Sequence, residues 1–258
     1  MLFAAVGFLI GGIDDLAIDL VFLLRRWTGG GRTRLTLATL PPPATPGRIA
    51  VFVPAWDEVA VLGEMLAAAL ARFHHPDYRL YVGLYPNDAP TIAAATMAAQ
   101  DPRVRLVIGP NPGPTTKADC LNVLWAALCR DDAAEGVTTK AIVVHDAEDV
   151  VHPAELAVFD TLIERHAVVQ LPVLPLVKRG SRLVSGHYAD EFAESHTKHI
   201  VVRTALGAGM PLAGTGFAIR PAILASLAAE RGGTPFDADS LVEDYELGLR
   251  IAALGGDA

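Results

Sequence analysis

Cysteine is almost missing: the 258 residues contain two, Cys120 and Cys129. They sit nine apart in a stretch of helical spacing, more than a turn from each other, and so read as reduced core residues rather than a bridge. That usage fits the cytoplasm and excludes a small disulfide-stapled scaffold. Glutamine is as scarce, with only Gln100 and Gln170. No repeat and no long low-complexity tract occurs, which sets aside solenoids and leaves a single α/β unit. Basic residues are in deficit, 21 Lys and Arg against 29 Asp and Glu, for a formal charge of -8 and a pI near 5.4. Without a concentrated basic face, a nucleic-acid partner is excluded, and the acidic clusters point to bound cations instead.

An unbroken spanning segment is also lacking. The first 24 residues are nearly all apolar, but Asp14, Asp15 and Asp19 interrupt them, and the run before Asp14 is 13 residues long. A spanning helix needs about 20. No basic stretch precedes the run and no small-residue cleavage site follows, so it does not read as a removed signal peptide. An apolar fraction of 52% and a mean hydropathy of +0.35 still point to contact with something greasier than water. The expectation is therefore a membrane anchor over residues 1–27. Arg25, Arg26, Arg32 and Arg34 would then keep the rest of the chain at the cytoplasmic face of a bacterial inner membrane. The alternatives are an amphipathic helix lying in the interface or packed on the domain, and a longer span that starts before Met1.

Residues 28–47, rich in Gly, Pro and Thr, read as a linker, and the folded domain is expected over 48–258. From there short apolar runs alternate with helical patterns. Strands are expected at 49–54, 79–85, 103–109 and 140–145, with helices after each, the last of them opening at Pro153. This rhythm builds a parallel sheet buried on both faces. Beyond 167-AVVQLPVLPLV-177 the pattern changes to a charged helix around 187–199, an apolar run at 211–219, a helix from Pro221 and a last helix near Ser240.

Polar clusters fall at the ends of the expected strands, where open parallel sheets bind ligands. They are 54-PAWDE-58, 85-YPND-88, 113-GPTTKADCLN-122 and 145-HDAEDVVHP-153. Asp146 and Glu148 alternate in an extended segment and suit Mg²⁺ or Mn²⁺, held by one or two carboxylates and completed by water and a diphosphate. The competing reading gives Glu148 or Asp149 to the N-terminus of the next helix. Lys117, opening a helix after a Gly/Pro loop, suits a phosphate or is a surface lysine. His145 and His152 suggest a zinc or dinuclear hydrolase site. His187, Glu191, His196 and His199 suggest ligands on helix turns or a solvated charged face. Ser240 and Glu243 have the spacing of a capping box, which would explain Glu243 by local hydrogen bonding.

Together these motifs resemble a family 2 glycosyltransferase of GT-A fold, a Rossmann-like, mostly parallel sheet flanked by helices, here with an N-terminal apolar anchor helix. The resemblance covers residues 49 to about 254. It rests on 53-VPAWDE-58, 117-KADCLN-122, 146-DAED-149, 214-GTG-216 and 243-ED-244, in the family's order. More narrowly, 13-IDDLAIDLVF-22, 83-GLYPND-88, 111-NPGPTTKADCLN-122 and 145-HDAED-149 resemble an inner-membrane branch of that family.

The resemblance implies an inverting hexosyl transfer from a nucleotide-diphosphate sugar, a UDP-sugar first, to a saccharide or lipid-linked acceptor at the membrane. It makes Asp244 the general base, and it gives the nucleoside to Glu58 and Asp88 and the diphosphate to Lys117. Asp146 takes the nucleotide and sugar side, and Asp146 and Glu148 the Mg²⁺ or Mn²⁺. Pro54, Gly214, Thr215, Gly216 and Glu243 complete the substrate contacts. Asp57 stands where the family has Asn, and Glu148 where it has a second Asp. The family's Q-x-x-R-W element has no counterpart before Ala258, so the chain is expected to be a fragment of a longer protein or an inactive binding or receptor scaffold.

Overall fold

The computed structural model describes residues 2–28, 35–177 and 180–257. Arg32 and Arg34 of the expected basic flank, and part of the expected linker, lie outside them. In chain order the elements are α1 (Leu2–Trp27), β1 (Ile49–Pro54), α2 (Leu62–Arg72), β2 (Tyr78–Leu84), α3 (Ala89–Thr96), β3 (Val104–Ile108), α4 (Lys117–Glu135), β4 (Ala141–Val144) and α5 (Glu155–Leu162). There follow β5 (Val168–Gln170), α6 (Arg182–Glu194), a π turn (Ser195–His199), α7 (Ile200–Ala205), β6 (Phe217–Ile219), α8 (Pro221–Glu230) and α9 (Glu243–Ala253).

These residues fall into two compact units. One joins Met1–Thr36 to Pro172–Met210, and the other joins Leu37–Leu171 to Pro211–Ala258. Residues 172–210 thus group with the N-terminal segment, not with the stretches on either side of them in the expected 48–258 domain.

In the larger unit the strand order is β3-β2-β1-β4-β6-β5. Strands β1 to β4 run parallel, with Val51 opposite both Leu80 and Val143. The apolar runs are why: Ile49 to Val53 and Ala141 to Val144 are each fully buried, which demands helices on both faces of the sheet. The sheet is mostly parallel, as expected, and the exception is β6, which runs antiparallel to both β4 and β5. Only Phe217–Ile219 of the apolar run 211–219 pairs as strand.

Two helix starts differ from expectation. Pro153 precedes α5 by two residues, and the turn before the helix is held by the His152 ring, whose Nδ1 accepts from the Ala154 N–H at 3.1 Å. The capping box does not form, because α9 begins at Glu243 itself and the Ser240 hydroxyl accepts from the Val242 N–H at 3.2 Å.

Close approach fixes the register of α4 on β2. A Cβ at Gly83 would lie 2.4 Å from the Cys120 sulfur, so only glycine fits there. Burial pushes the Cys120 thiol up to about 12, which keeps it an inert packing group. Cys129, expected in the core, is exposed on the same helix.

In the smaller unit α1 contacts the π turn and α7, and the Lys198 ammonium bonds Asp19 and Glu194 at 2.6 Å each. Among the described residues no helix is long and apolar enough to cross a membrane, the three aspartates of α1 being the reason. Phe3, Phe8, Leu16 and Trp27 are nonetheless exposed. The histidines of the charged helix do not converge: His196 is buried against Phe192, His199 faces Glu194, and His187 is exposed. Among the described residues no group of three or more His, Cys, Asp or Glu is placed to hold a metal ion by itself.

Candidate functional site

Strands β2 and β3 lie on one side of β1, and β4 on the other, so consecutive connections part between β1 and β4. Loops leaving the carboxyl ends of two such strands splay and leave a crevice. A cleft of about 320 Å³ occupies that place, lined by Trp56 and Glu58 after β1, Tyr85 after β2, Lys117 at the start of α4, and Asp146 and Glu148 after β4. A larger groove of about 600 Å³ runs along α2 and α3, but its walls are mainly small and apolar. Of the acids lining it, Glu64 and Asp101, Asp101 is already paired with Arg103.

The first loop owes its shape to Asp57, held at φ 58°, a left-handed conformation that Asn and Asp tolerate better than other side chains. The family's Asn and this chain's Asp therefore answer the same backbone demand. The Asp57 N–H donates to Asp88 at 2.7 Å, and the Glu58 N–H to the Thr91 hydroxyl at 3.0 Å. Asp88 also receives the Thr91 N–H as the N-cap of α3. Burial pushes its carboxyl up, but these donors prevail and hold it below the usual carboxylate range. Asp88 therefore fixes the loop that carries Glu58, and it is absent from the cleft lining.

The electrostatics of the cleft follow from its lining, three carboxylates (Glu58, Asp146, Glu148) and one ammonium (Lys117). Burial, then the charges of Glu148, Asp146 and Asp57, push Glu58 above the usual carboxylate range. Lys117 pairs with Asp146 and donates to the Gly214 carbonyl at 2.9 Å. A diphosphate would meet excess negative charge here unless a cation came with it. Two carboxylates with vacant ligand positions suit Mg²⁺ or Mn²⁺ completed by phosphate oxygens, so the donor set fits the expected ion.

Gly214 links this rim to α9. Its φ is +77°, and a Cβ there would lie 3.1 Å from an Asp244 oxygen and 3.8 Å from the Lys117 nitrogen. Asp244, Lys117 and Asp146 therefore share one edge. Glu243 points elsewhere, into a small recess with Arg231, Phe236 and Arg250. Replacing Gly214 by alanine is expected to cost about 1–3 kcal/mol of stability from the left-handed backbone alone. Urea unfolding measures it, and an unchanged midpoint contradicts the conformation.

Several positioning residues escaped the sequence reading. Asn122, buried in α4, clamps Phe236 by two backbone bonds of 2.9 and 3.0 Å, and the Thr116 hydroxyl donates to the Ala238 carbonyl at 2.7 Å. The loop leading to α9 is thereby strapped to the helix that carries Lys117. Gln170, one of the two glutamines, accepts from Ala213 and donates to the Thr215 carbonyl, holding the 213–216 loop from β5. Asn87 bonds both backbone groups of Gly113, whose missing Cβ leaves room for the Trp56 ring.

His145 is not a metal ligand. It is buried, with Nδ1 bonded to Asp149 at 2.7 Å and Nε2 to Glu155 at 2.5 Å. Burial opposes its charge, but the two carboxylates outweigh burial and push the imidazole up to about 9. His152 belongs to the turn before α5, so the two histidines do not converge on a hydrolase-type centre. Asp149, which the competing reading gives to the N-terminus of α5, instead accepts from His145, the Asp146 N–H and the Thr215 hydroxyl.

Comparison with known proteins agrees with this fold. The sequence profile described as "Glycosyltransferase like family 2" matches residues 46–258. Bacteriophage adsorption protein B of Escherichia coli (strain K12) is 36% identical over 257 residues, 97% of this chain and 34% of that protein. The chain thus spans about a third of the length of the curated relatives it matches. Among solved structures, the mannosyltransferase PcManGT of Pyrobaculum calidifontis, in complex with GDP-Man and Mn²⁺, aligns at TM-score 0.59 and 18% identity, covering 94% of this chain and 62% of that one. S. aureus TarS 1-349 in complex with UDP-GlcNAc aligns at 0.51 and 13% identity, covering 81% and 54%. At these identities the structures speak for the fold.

Proposed function

Since the chain belongs to the glycosyltransferase-like family 2, we propose that it transfers a sugar from a nucleoside diphosphate to an acceptor hydroxyl, with inversion at the anomeric carbon. The observation that carries this reading is the shared edge of Lys117, Asp146, Gly214 and Asp244 beside an acidic cleft at the sheet's switch point. Trp56, Glu58 and Tyr85 form the wall for the nucleoside, and Lys117 faces the diphosphate. Asp146 and Glu148 would hold the divalent ion, which would supply positive charge against the departing diphosphate.

The chemistry left to the chain is proton removal. Asp244 takes the proton of the acceptor hydroxyl as its oxygen attacks the anomeric carbon, and the bond from that carbon to the diphosphate oxygen breaks with its electrons on the leaving group. No second carboxyl is needed as an acid, because a diphosphate leaves as an anion.

We place the enzyme at a membrane face. An exposed apolar α1 ending in Arg25, Arg26 and Trp27 supports an interfacial seat, where a helix carrying three aspartates can lie without burying them. A second reading, a scaffold that binds donor without turnover, draws on the relatives' name as phage adsorption proteins.

Titration calorimetry with UDP and with GDP, each with and without Mn²⁺, followed by a donor-turnover assay, separates these readings. Metal-dependent binding of one nucleotide with turnover is expected. Binding without turnover favours the scaffold, and no binding of either nucleotide overturns both.

A further inference from the structure

The hydrogen bonds around Asp149 close on themselves. Its Oδ2 accepts from the Asp146 N–H at 3.0 Å and from the Thr215 hydroxyl, while His145 Nδ1 braces the same oxygen at 2.7 Å. Asp146 in turn holds the Lys117 ammonium, and that ammonium reaches the carbonyl of Gly214, the residue before Thr215. We propose that Asp149 is a positioning residue: it closes a ring through Asp146, Lys117, Gly214 and Thr215 that locks the turn after β4 to the loop before β6. The inference rests on the transferase reading and deepens it.

Three features make the ring more than packing. The turn after β4 carries the groups assigned to the donor, whereas the 214–216 loop touches Asp244, assigned to the acceptor proton. The two are separate in sequence, and the Asp149 side chain, which belongs to the turn, bonds the loop directly through Thr215. Thr215 gives its hydroxyl to Asp149, so its role passes through the loop and not through the substrate. The loop also has an independent hold, through Gln170 and through the Gly216 N–H on the Val144 carbonyl at 2.9 Å. Losing one ring bond therefore shifts the loop without unfolding it. A displacement of about 1 Å between donor and base is enough to cost about 10²-fold in rate.

The test is a double-mutant cycle of Asp149→Asn and Thr215→Val in the purified protein, read in turnover, in donor affinity with Mn²⁺, and in urea unfolding. Thr215→Val leaves the His145–Asp149 pair intact and so stands in where Asp149→Asn folds poorly. Expected is a kcat loss of about 10²-fold in either single variant, with donor affinity little changed and the double variant no worse than the poorer single one. Thr215→Ser, which keeps the hydroxyl, recovers most of the loss. Wild-type turnover in Thr215→Val, losses that multiply in the double variant, or a loss confined to donor affinity each overturn the ring and leave the transferase reading standing. If the wild type binds no nucleotide, the transferase reading falls by itself. The unfolding cycle then decides the ring, which additive effects would reject and coupled effects uphold.

Discussion

Asp244→Asn is expected to lower sugar transfer by about 10²–10⁴-fold, the usual share of a general base, while donor affinity stays near that of the parent. An amide occupies the same volume but accepts no proton at neutral pH, so the change removes the chemistry and keeps the shape. Asp244 stands in the first turn of α9 and accepts from the Tyr245 N–H at 2.8 Å. Its other oxygen faces Gly214, within reach of the Lys117 edge.

The neighbouring acid supplies the contrast. Glu243 lies in the recess with Arg231 and Arg250, so Glu243→Gln should act on the packing of α9 more than on turnover. Steady-state kinetics on both variants make the comparison. If Asp244→Asn keeps a rate within about tenfold of the parent, or if Glu243→Gln is the more damaging of the two, the base has been misassigned.

The parts legible in the sequence share one physical origin. Runs such as Ile49 to Val53 and Ala141 to Val144 have no polar residue to place in water, so their burial and parallel pairing followed from composition alone. The polar clusters at their ends then had to lie on one rim, and Glu58, Lys117, Asp146 and Glu148 do line one cleft.

What escaped the sequence depended on long-range pairing or on competition between hydrogen-bond partners. The antiparallel β6 is three residues long and carries no mark of its direction. Asp149 could cap a helix, bind a metal or join a buried network, and only the fold brings Thr215 and His145 against it. Asp88 was readable as a polar strand-end residue, but its use as the cap of α3 and clamp of Asp57 needed the structure. Asn122 looked like the end of a motif, and its function as a strap on Phe236 spans 114 residues of sequence.

Asp146→Ala should have an effect of comparable size and of a different kind. Asp146 pairs with Lys117 and lines the cleft with Glu58 and Glu148. On the proposed assignment its loss removes a metal ligand, so donor affinity in Mn²⁺ should fall by more than the 10–100-fold typical of residues that merely support a ligand. Turnover should fall with it. The same change frees the Lys117 ammonium and subtracts a negative charge from the cleft, both of which favour a bare diphosphate. Binding of UDP or GDP without metal should therefore hold or strengthen, and the ratio of affinities with and without Mn²⁺ should shrink towards one. A simple unfolding of the site would weaken both together. His152→Ala, which touches only the turn before α5, should leave both affinities near the parent. Calorimetric titrations of the three proteins, with and without Mn²⁺, decide the matter. An Asp146→Ala variant with undiminished metal dependence would remove the ion from this carboxylate, and the charge argument for the cleft would go with it.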